Sequence, residues 1–173
     1  MTSALYISRR MEKHIAYLCI GGNLGNREEN LEETRMFVNY NMGDITRASA
    51  IYETEPWHME NVPAFLNQVL EISTELSPVQ LMQEIMELEE FFGRIRTEGE
   101  VLSREMDVDI LFYDDLVLQD GAPLIPHPRL QDRKFVLVPL EEIAPDLVHP
   151  LLKKNTSELL RLCNDLSAVK KLP

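Results

Sequence analysis

Apolar and polar residues alternate along several short stretches of this chain, and the alternation predicts β-strands. It is clearest at Phe65–Thr74, where Leu66 and Leu70 fall on one face while Phe65 and Asn67 fall on the other. Other short apolar runs are bounded by turn residues, which is also typical of strands. The four strands expected are 14–20, 45–53, Phe65–Thr74 and Asp107–Tyr113.

The most clearly predicted helix begins at Ser77. This residue is followed by Pro78 in the first turn and by Gln80 at the capping-box position, and Gly93 supplies a C-terminal cap. Apolar residues at helical spacing form its buried stripe: Leu81, Ile85, Leu88 and Phe92. Glu89 lies beside that stripe, so we expect its carboxylate to be partly buried and to need a partner.

Two asparagines followed three residues later by a glutamate, Asn26 and Asn155, have the spacing of helix N-caps. We expect the first helix to run toward Gly43 and the last to run through Leu162. With a further apolar segment at 135–144, the element order is β-α-β-β-α-β plus two helical pieces. This order predicts an α+β, ferredoxin-like sandwich, with a mostly antiparallel sheet and helices packed on it.

The length of 173 residues fits one domain, which we assign to 14–173, with 1–13 as an N-terminal extension outside the core. The formal charge of −12 argues against nucleic acid or an anionic membrane as a partner. No apolar run approaches the roughly 20 residues of a membrane span. Cys19 and Cys163 fall within apolar patterns, so we expect both to be buried, free thiols in a cytoplasmic protein.

The sharpest chemical motif is the pair Asp107 and Asp109. On a strand these side chains project from the same face, about 7 Å apart. Two like charges so placed in an apolar strand are unfavourable unless a cation lies between them. A magnesium ion shared with substrate phosphates would supply that cation. The alternative is an exposed acidic edge that faces a basic loop.

Arginines gather just before this pair. Arg94 and Arg96 follow the end of the predicted helix, and Arg104 precedes the aspartates. Guanidinium groups bind phosphate through a planar fork of donors, and phosphoryl transfer depends on such charge neutralisation. The alternative is that these arginines bind helix carbonyls and the many carboxylates of the chain.

Another group of residues suits a flat, polar ligand. Phe65 and Asn67 share a strand face and offer an aromatic surface beside an amide. Further on, His127 lies close in sequence to Arg129 and Arg133 and could contact a phosphate. Taken alone, each of these side chains is better explained by a structural role. Together with the aspartates they indicate a divalent metal, a triphosphate and a planar heterocycle.

At these residues the chain resembles the dihydropterin pyrophosphokinases. Asp107-x-Asp109 preceded by Arg104 is similar to the family signature, with Arg94-x-Arg96 upstream. The resemblance runs from Ile15 to about Leu162. It includes the turn at 21–25, the loop at 52–56, the strand at 65–67 and the segments 126–135 and 135–145.

The resemblance implies an enzyme of folate biosynthesis that transfers diphosphate from ATP to 6-hydroxymethyl-7,8-dihydropterin. It implies that Asp107 and Asp109 bind two Mg²⁺ ions and act in catalysis with Arg94 and Arg104. The implied nucleotide contacts are Glu89, Arg94, Arg104, His127 and Arg133. The implied pterin contacts are Thr54, Phe65, Asn67 and Phe135. Both partners would be small molecules, with no protein partner implied, and we hypothesise that Trp57 covers the pterin.

Two other functions stay open on the residues alone. A non-catalytic, ferredoxin-like module that binds a ligand or regulates another protein would need neither the aspartate pair nor the arginines. A different Mg²⁺-dependent nucleotidyl- or phosphoryl-transfer enzyme would differ in the nucleotide that it releases. AMP among the products would favour the pyrophosphokinase.

Overall fold

The structure is a computed structural model that describes residues 12–56, 61–93 and 103–173. These residues include six strands and four α-helices. The strands are β1 (His14–Gly22), β2 (Asp44–Ala48), β3 (Tyr52–Thr54), β4 (Phe65–Thr74), β5 (Asp107–Tyr113) and β6 (Val169–Lys171). The helices are α1 (Arg27–Phe37), α2 (Pro78–Phe91), α3 (Lys134–Ile143) and α4 (Thr156–Leu162). None of the described helices is long and apolar enough to cross a membrane.

The strands form one antiparallel sheet in the order β5-β1-β4-β3-β6, and β2 also pairs with β4. The longest pairing joins β1 to β4, from His14 opposite Thr74 to Gly22 opposite Leu66. This sheet with its packed helices confirms the predicted α+β fold class. The assignment of 1–13 to an extension stays a prediction, because the described residues begin at 12.

The sheet separates two apolar clusters. The cluster shared with α1 and α2 includes Leu18, Ile20, Leu31, Leu70, Leu81 and Ile85. The cluster shared with α3 and α4 includes Cys19, Val69, Leu111, Val136, Leu140 and Leu159. Adjacent residues of a strand therefore enter different clusters, as their alternation predicts. On the α3 side, Cys19 lies opposite Asp109 and Gly21 lies opposite Asn67. Asp109 and Asn67 therefore border the second cluster.

The predicted helix caps are present. Asn26 accepts a hydrogen bond from the backbone N–H of Glu29, and both Ser77 and Asn155 form full capping boxes. The first helix continues beyond α1 as a π-helical turn, Val38–Met42, and ends at Gly43. That glycine has φ +148°, and a Cβ there would lie 2.4 Å from the carbonyl oxygen of Ser73.

Two sequence predictions need correction, and one strand was missed. The single strand expected at 45–53 is two strands, because Ser49 interrupts the ladder: its hydroxyl accepts the hydrogen bond of the Val69 N–H at 3.0 Å. The short edge strand β6 was not predicted at all. Cys163 is only partly buried, because it is the C-terminal cap residue of α4 and packs at the edge of the second cluster, whereas Cys19 is buried as expected.

Candidate active site

A cleft opens where the ends of β1, β3, β4 and β5 meet the first turn of α3. About 590 Å³ of space in it is not filled by protein atoms, counting its open mouth. It brings together eight of the predicted site residues: Thr54, Phe65, Asn67, Arg104, Asp107, Asp109, Arg133 and Phe135. Cys19, Gly21 and Glu55 also line it and were not predicted as site residues.

Asp107 and Asp109 face this cleft together, with buried Val108 between them on the opposite face of β5. Their side chains are 29% and 30% exposed. Each carboxylate has an arginine: Nη1 of Arg104 lies 2.8 Å from Oδ1 of Asp107, and Nη1 of Arg133 lies 3.0 Å from Oδ2 of Asp109. The arrangement is therefore a partly solvated cluster of two anions and two cations.

His127 lies behind Asp109, with its Nε2 atom 3.7 Å from the Oδ2 atom of that carboxylate. Burial lowers the pKa of the imidazole; the Asp109 charge opposes this effect, and Arg133 and Arg129 add to it. The Nδ1 atom is 3.2 Å from the backbone N–H of Arg129 and accepts its hydrogen bond. In a neutral ring the proton is then on Nε2, which faces Asp109.

The opposite wall of the cleft holds an aromatic and amide surface. Asn67, which is buried, donates from Nδ2 to the Thr54 hydroxyl at 2.7 Å. Gly21 makes room for this amide, because a Cβ there would lie 2.1 Å from Oδ1 of Asn67. Across the cleft, the Arg133 guanidinium lies 5.6 Å from the centre of the Phe135 ring, which is within cation–π range.

Glu89 is buried on α2, more completely than its position beside the helical stripe predicted. Its Oε1 atom accepts a hydrogen bond from the backbone N–H of Val108 at 3.2 Å. It therefore holds α2 against β5 at the residue between the two aspartates. A direct nucleotide contact of Glu89 stays a prediction. Arg94, Arg96 and Trp57 lie outside the described residues.

Asn23, which the sequence reasoning treated only as part of a turn, supports the site by holding Arg104, a residue of the cleft lining. Its side chain accepts from the backbone N–H of Arg104 at 2.9 Å and donates to Ser103 Oγ at 3.0 Å and to the Pro63 carbonyl at 3.2 Å. The backbone N–H of Asn23 also donates to the Arg104 carbonyl at 2.9 Å. Gly22 allows this close approach, since a Cβ there would lie 2.0 Å from the carbonyl oxygen of Glu105.

Cys19 lies on the cleft floor beside the aspartates. Burial raises the pKa of its thiol, and the Asp109 and Asp107 charges raise it further. The thiol is thus protonated at neutral pH and contributes as a small apolar group.

The cleft is a candidate small-molecule site in which an aromatic and amide surface lies beside a cluster of two arginines and two aspartates. Residues 17–145 match the sequence model of the 7,8-dihydro-6-hydroxymethylpterin-pyrophosphokinase family. A 2-amino-4-hydroxy-6-hydroxymethyldihydropteridine pyrophosphokinase of Aquifex aeolicus is 36% identical over 146 residues, which cover 82% of this chain and 88% of that protein. The corresponding Bacillus subtilis protein is 37% identical over 131 residues, 75% of this chain and 78% of the relative. The chain belongs to this pyrophosphokinase family, as the sequence predicted.

Other relatives are much longer than this chain. The folic acid synthesis protein fol1 of Schizosaccharomyces pombe is 36% identical over 163 residues, which are 92% of this chain but 22% of that protein. The chain thus spans about a fifth of the length of the fungal relatives it matches. A crystal structure of wild-type Plasmodium falciparum HPPK-DHPS with pterin and p-hydroxybenzoate has a TM-score of 0.71 at 18% identity, covering 89% of this chain and 44% of that one. This likeness supports the fold.

Proposed function

We propose that the chain transfers the terminal diphosphate of ATP to 6-hydroxymethyl-7,8-dihydropterin in folate biosynthesis, giving AMP and the pterin diphosphate. Membership of the pyrophosphokinase family supports the reaction. The observation that carries the proposal is the single cleft in which Asp107 and Asp109, each paired with an arginine, face Phe65 and Asn67. A phosphate site and a site for a flat heterocycle are adjacent there.

The donors of the cleft fit Mg²⁺. Asp107 and Asp109 offer hard carboxylate oxygens on one face of β5, and Mg²⁺ is commonly bound by one or two carboxylates plus phosphate and water. No cluster of three or more potential ligands from His, Cys, Asp and Glu occurs in the described parts of the chain, so phosphate oxygens would complete the coordination. We propose two Mg²⁺ ions, which would neutralise charge on the phosphates when bound.

Arg104 and Arg133 would exchange their carboxylate partners for phosphate oxygens when ATP binds. Both guanidinium groups already lie at the cleft wall, and their planar forks suit phosphate. Arg133 would then contact the phosphates while its guanidinium stays next to the ring of Phe135.

Asn67 and Thr54 would hold the pterin by its polar edge, with Phe65 and Phe135 against its faces. This pose directs the hydroxymethyl oxygen toward the β-phosphorus of ATP. The new O–P bond forms as the bond from the β-phosphorus to the α–β bridging oxygen breaks, AMP leaves, and the hydroxyl proton is released. Positioning and charge neutralisation carry most of the rate enhancement in such a reaction.

ATP is the proposed co-substrate. We also propose that the protein works in a reducing compartment such as the cytoplasm, because Cys19 and Cys163 are both free thiols.

Replacement of Asp109 tests the proposal. We expect D109A to lose at least about a hundredfold in pterin-dependent AMP formation, because it removes a proposed Mg²⁺ ligand, and loss of one preorganised charge-stabilising group typically costs that much. Pterin binding, measured by calorimetric titration, should change far less. D120A removes an exposed carboxylate elsewhere and is the matched control. Equal turnover in D109A and D120A would refute the proposed role of the aspartate pair. Wild-type protein that binds the pterin but forms no AMP would point to a binding module.

A further inference from the structure

The segment 165–171, called here the C-terminal brace, follows the part of the chain matched by the family, which ends at residue 145. It contains β6, which pairs with β3 so that Val169 lies opposite Thr54 and Lys171 lies opposite Tyr52. The brace is therefore the next strand outward from the strand that carries the Thr54 hydroxyl.

One wall of the cleft is bound to the brace through Glu55. The backbone N–H of Glu55 donates to the Ala168 carbonyl at 3.3 Å, and the Ala168 N–H donates to Oε2 of Glu55 at 3.1 Å. Glu55 lines the cleft next to Thr54. This reciprocal pair fixes the end of β3 where Thr54 holds the Asn67 amide.

The other wall is bound to the brace through the first turn of α3. Oδ2 of Asp165 accepts the backbone N–H of Lys134 at 3.0 Å, and Nζ of Lys134 donates to the Ser167 carbonyl at 3.1 Å. The local N-cap residue, Arg133, makes no side-chain cap, so Asp165 caps the helix from a distant part of the chain. Lys134 stands directly between Arg133 and Phe135, and both of these line the cleft.

Asp165 is itself held in one orientation. Its Oδ1 atom accepts the Ser167 N–H at 2.9 Å and the Ser167 hydroxyl at 2.6 Å. Burial alone would raise the pKa of this carboxyl, but hydrogen bonds from Ser167 and from the Lys134 backbone lower it overall. At neutral pH the side chain is thus a charged acceptor at a helix N-terminus.

The far end of α3 is bound to the same strands. Nζ of Lys171 lies 2.7 Å from Oε1 of Glu142, and Oε2 of Glu142 accepts from the backbone N–H of Ala50 at 2.9 Å and from the Tyr52 hydroxyl at 3.1 Å. The helix is therefore bound to the C-terminal brace at both ends.

We propose that the C-terminal brace sets the separation of the two cleft walls that enclose the pterin, with Asp165 as its principal positioning residue. Asp165 does not line the cleft and acts through Lys134 and Ser167. The inference rests on the proposed function, because it assigns the pterin to this cleft.

The test compares D165A with L166A. Leu166 is the adjacent residue of the chain and is 92% exposed, so its truncation is the matched control. We expect D165A to raise the dissociation constant for 6-hydroxymethyl-7,8-dihydropterin roughly tenfold, since misplacement of a wall by about 1 Å is costly. L166A should bind like the wild type. Calorimetric titration with a non-hydrolysable ATP analogue present measures the pterin affinity.

A second variant and a second readout separate positioning from loss of fold. D165N keeps one acceptor oxygen, so its pterin affinity should fall between those of the wild type and D165A, with a near-wild-type melting temperature. The inference is overturned if D165A and D165N bind the pterin as tightly as L166A does. It is also overturned if D165A loses as much affinity for the ATP analogue as for the pterin. Wild-type protein without pterin-dependent AMP formation instead overturns the proposed function.

Discussion

Asn23 and Arg104 hold each other by reciprocal hydrogen bonds: the Asn23 side chain accepts the Arg104 N–H, and the Arg104 carbonyl accepts the Asn23 N–H, both at 2.9 Å. The same buried amide reaches Ser103 and Pro63. Asn23 therefore connects the Pro63 carbonyl to the segment 103–104, and it fixes the backbone of the arginine that pairs with Asp107.

We expect N23A to lower kcat/KM for ATP by roughly tenfold, because it leaves partly buried backbone groups unpaired, at a cost of about 1–3 kcal/mol, and releases the backbone of Arg104. Steady-state kinetics with each substrate varied in turn measure the effect. N164A, which removes an exposed amide near the C-terminus, is the control. Equal kinetics in both variants would show that the Asn23–Arg104 contact has no part in catalysis.

The Asn67–Thr54 contact predicts a specific effect on the pterin. In T54V the side chain keeps its shape but loses the hydroxyl that accepts from Asn67 at 2.7 Å, so the buried amide can rotate away from the pterin. We expect roughly tenfold weaker pterin binding with little change for ATP. T54S keeps the hydroxyl and should bind almost as well as the wild type. If T54V and T54S have the same pterin affinity in titrations, the amide does not depend on Thr54.

His149 predicts a pH dependence of stability that is separate from the active site. Burial lowers the pKa of its imidazole, and its Nδ1 atom accepts the backbone N–H groups of Leu151 and Leu152, both at 3.2 Å. A lowered folded-state pKa means that protons bind the unfolded chain more tightly. Its stabilising contribution is therefore complete above about pH 6.5 and is lost as the pH falls from there through the folded-state pKa.

The variant H149N tests this dependence, because an asparagine oxygen can replace the Nδ1 acceptor without titrating. We expect the free energy of unfolding of the wild type to fall relative to H149N between about pH 7 and pH 5, a window above the range of most carboxylates. Urea denaturation at several pH values measures the difference. A difference that is constant across this window would contradict the assignment.

Much of the fold follows from local sequence signals. β4 and β5 begin and end where the alternation predicts, and the Ser77 and Asn155 capping boxes form as their spacing requires. These features depend on residues only a few positions apart. The two aspartates are likewise placed by strand alternation alone, which is why their shared face could be predicted.

The features that were missed depend on distant partners. β6 is a three-residue strand, Val-Lys-Lys, without a hydrophobic period, and it is ordered by pairing with β3 more than 100 residues earlier. Ser49 interrupts the strand at 45–53 through a hydrogen bond to Val69 that no local pattern indicates. The Asn23–Arg104 contact spans 81 positions, so Asn23 could be predicted only as part of a turn.

The central claim, transfer of an intact diphosphate, is tested most directly with ATP that carries radioactive phosphorus at the β position. Incubation with Mg²⁺ and 6-hydroxymethyl-7,8-dihydropterin, followed by chromatography, shows where the label goes. We expect the label in the pterin product, with unlabelled AMP formed in equal amount. Label retained in ADP, with a pterin monophosphate as the product, would contradict diphosphate transfer at this site.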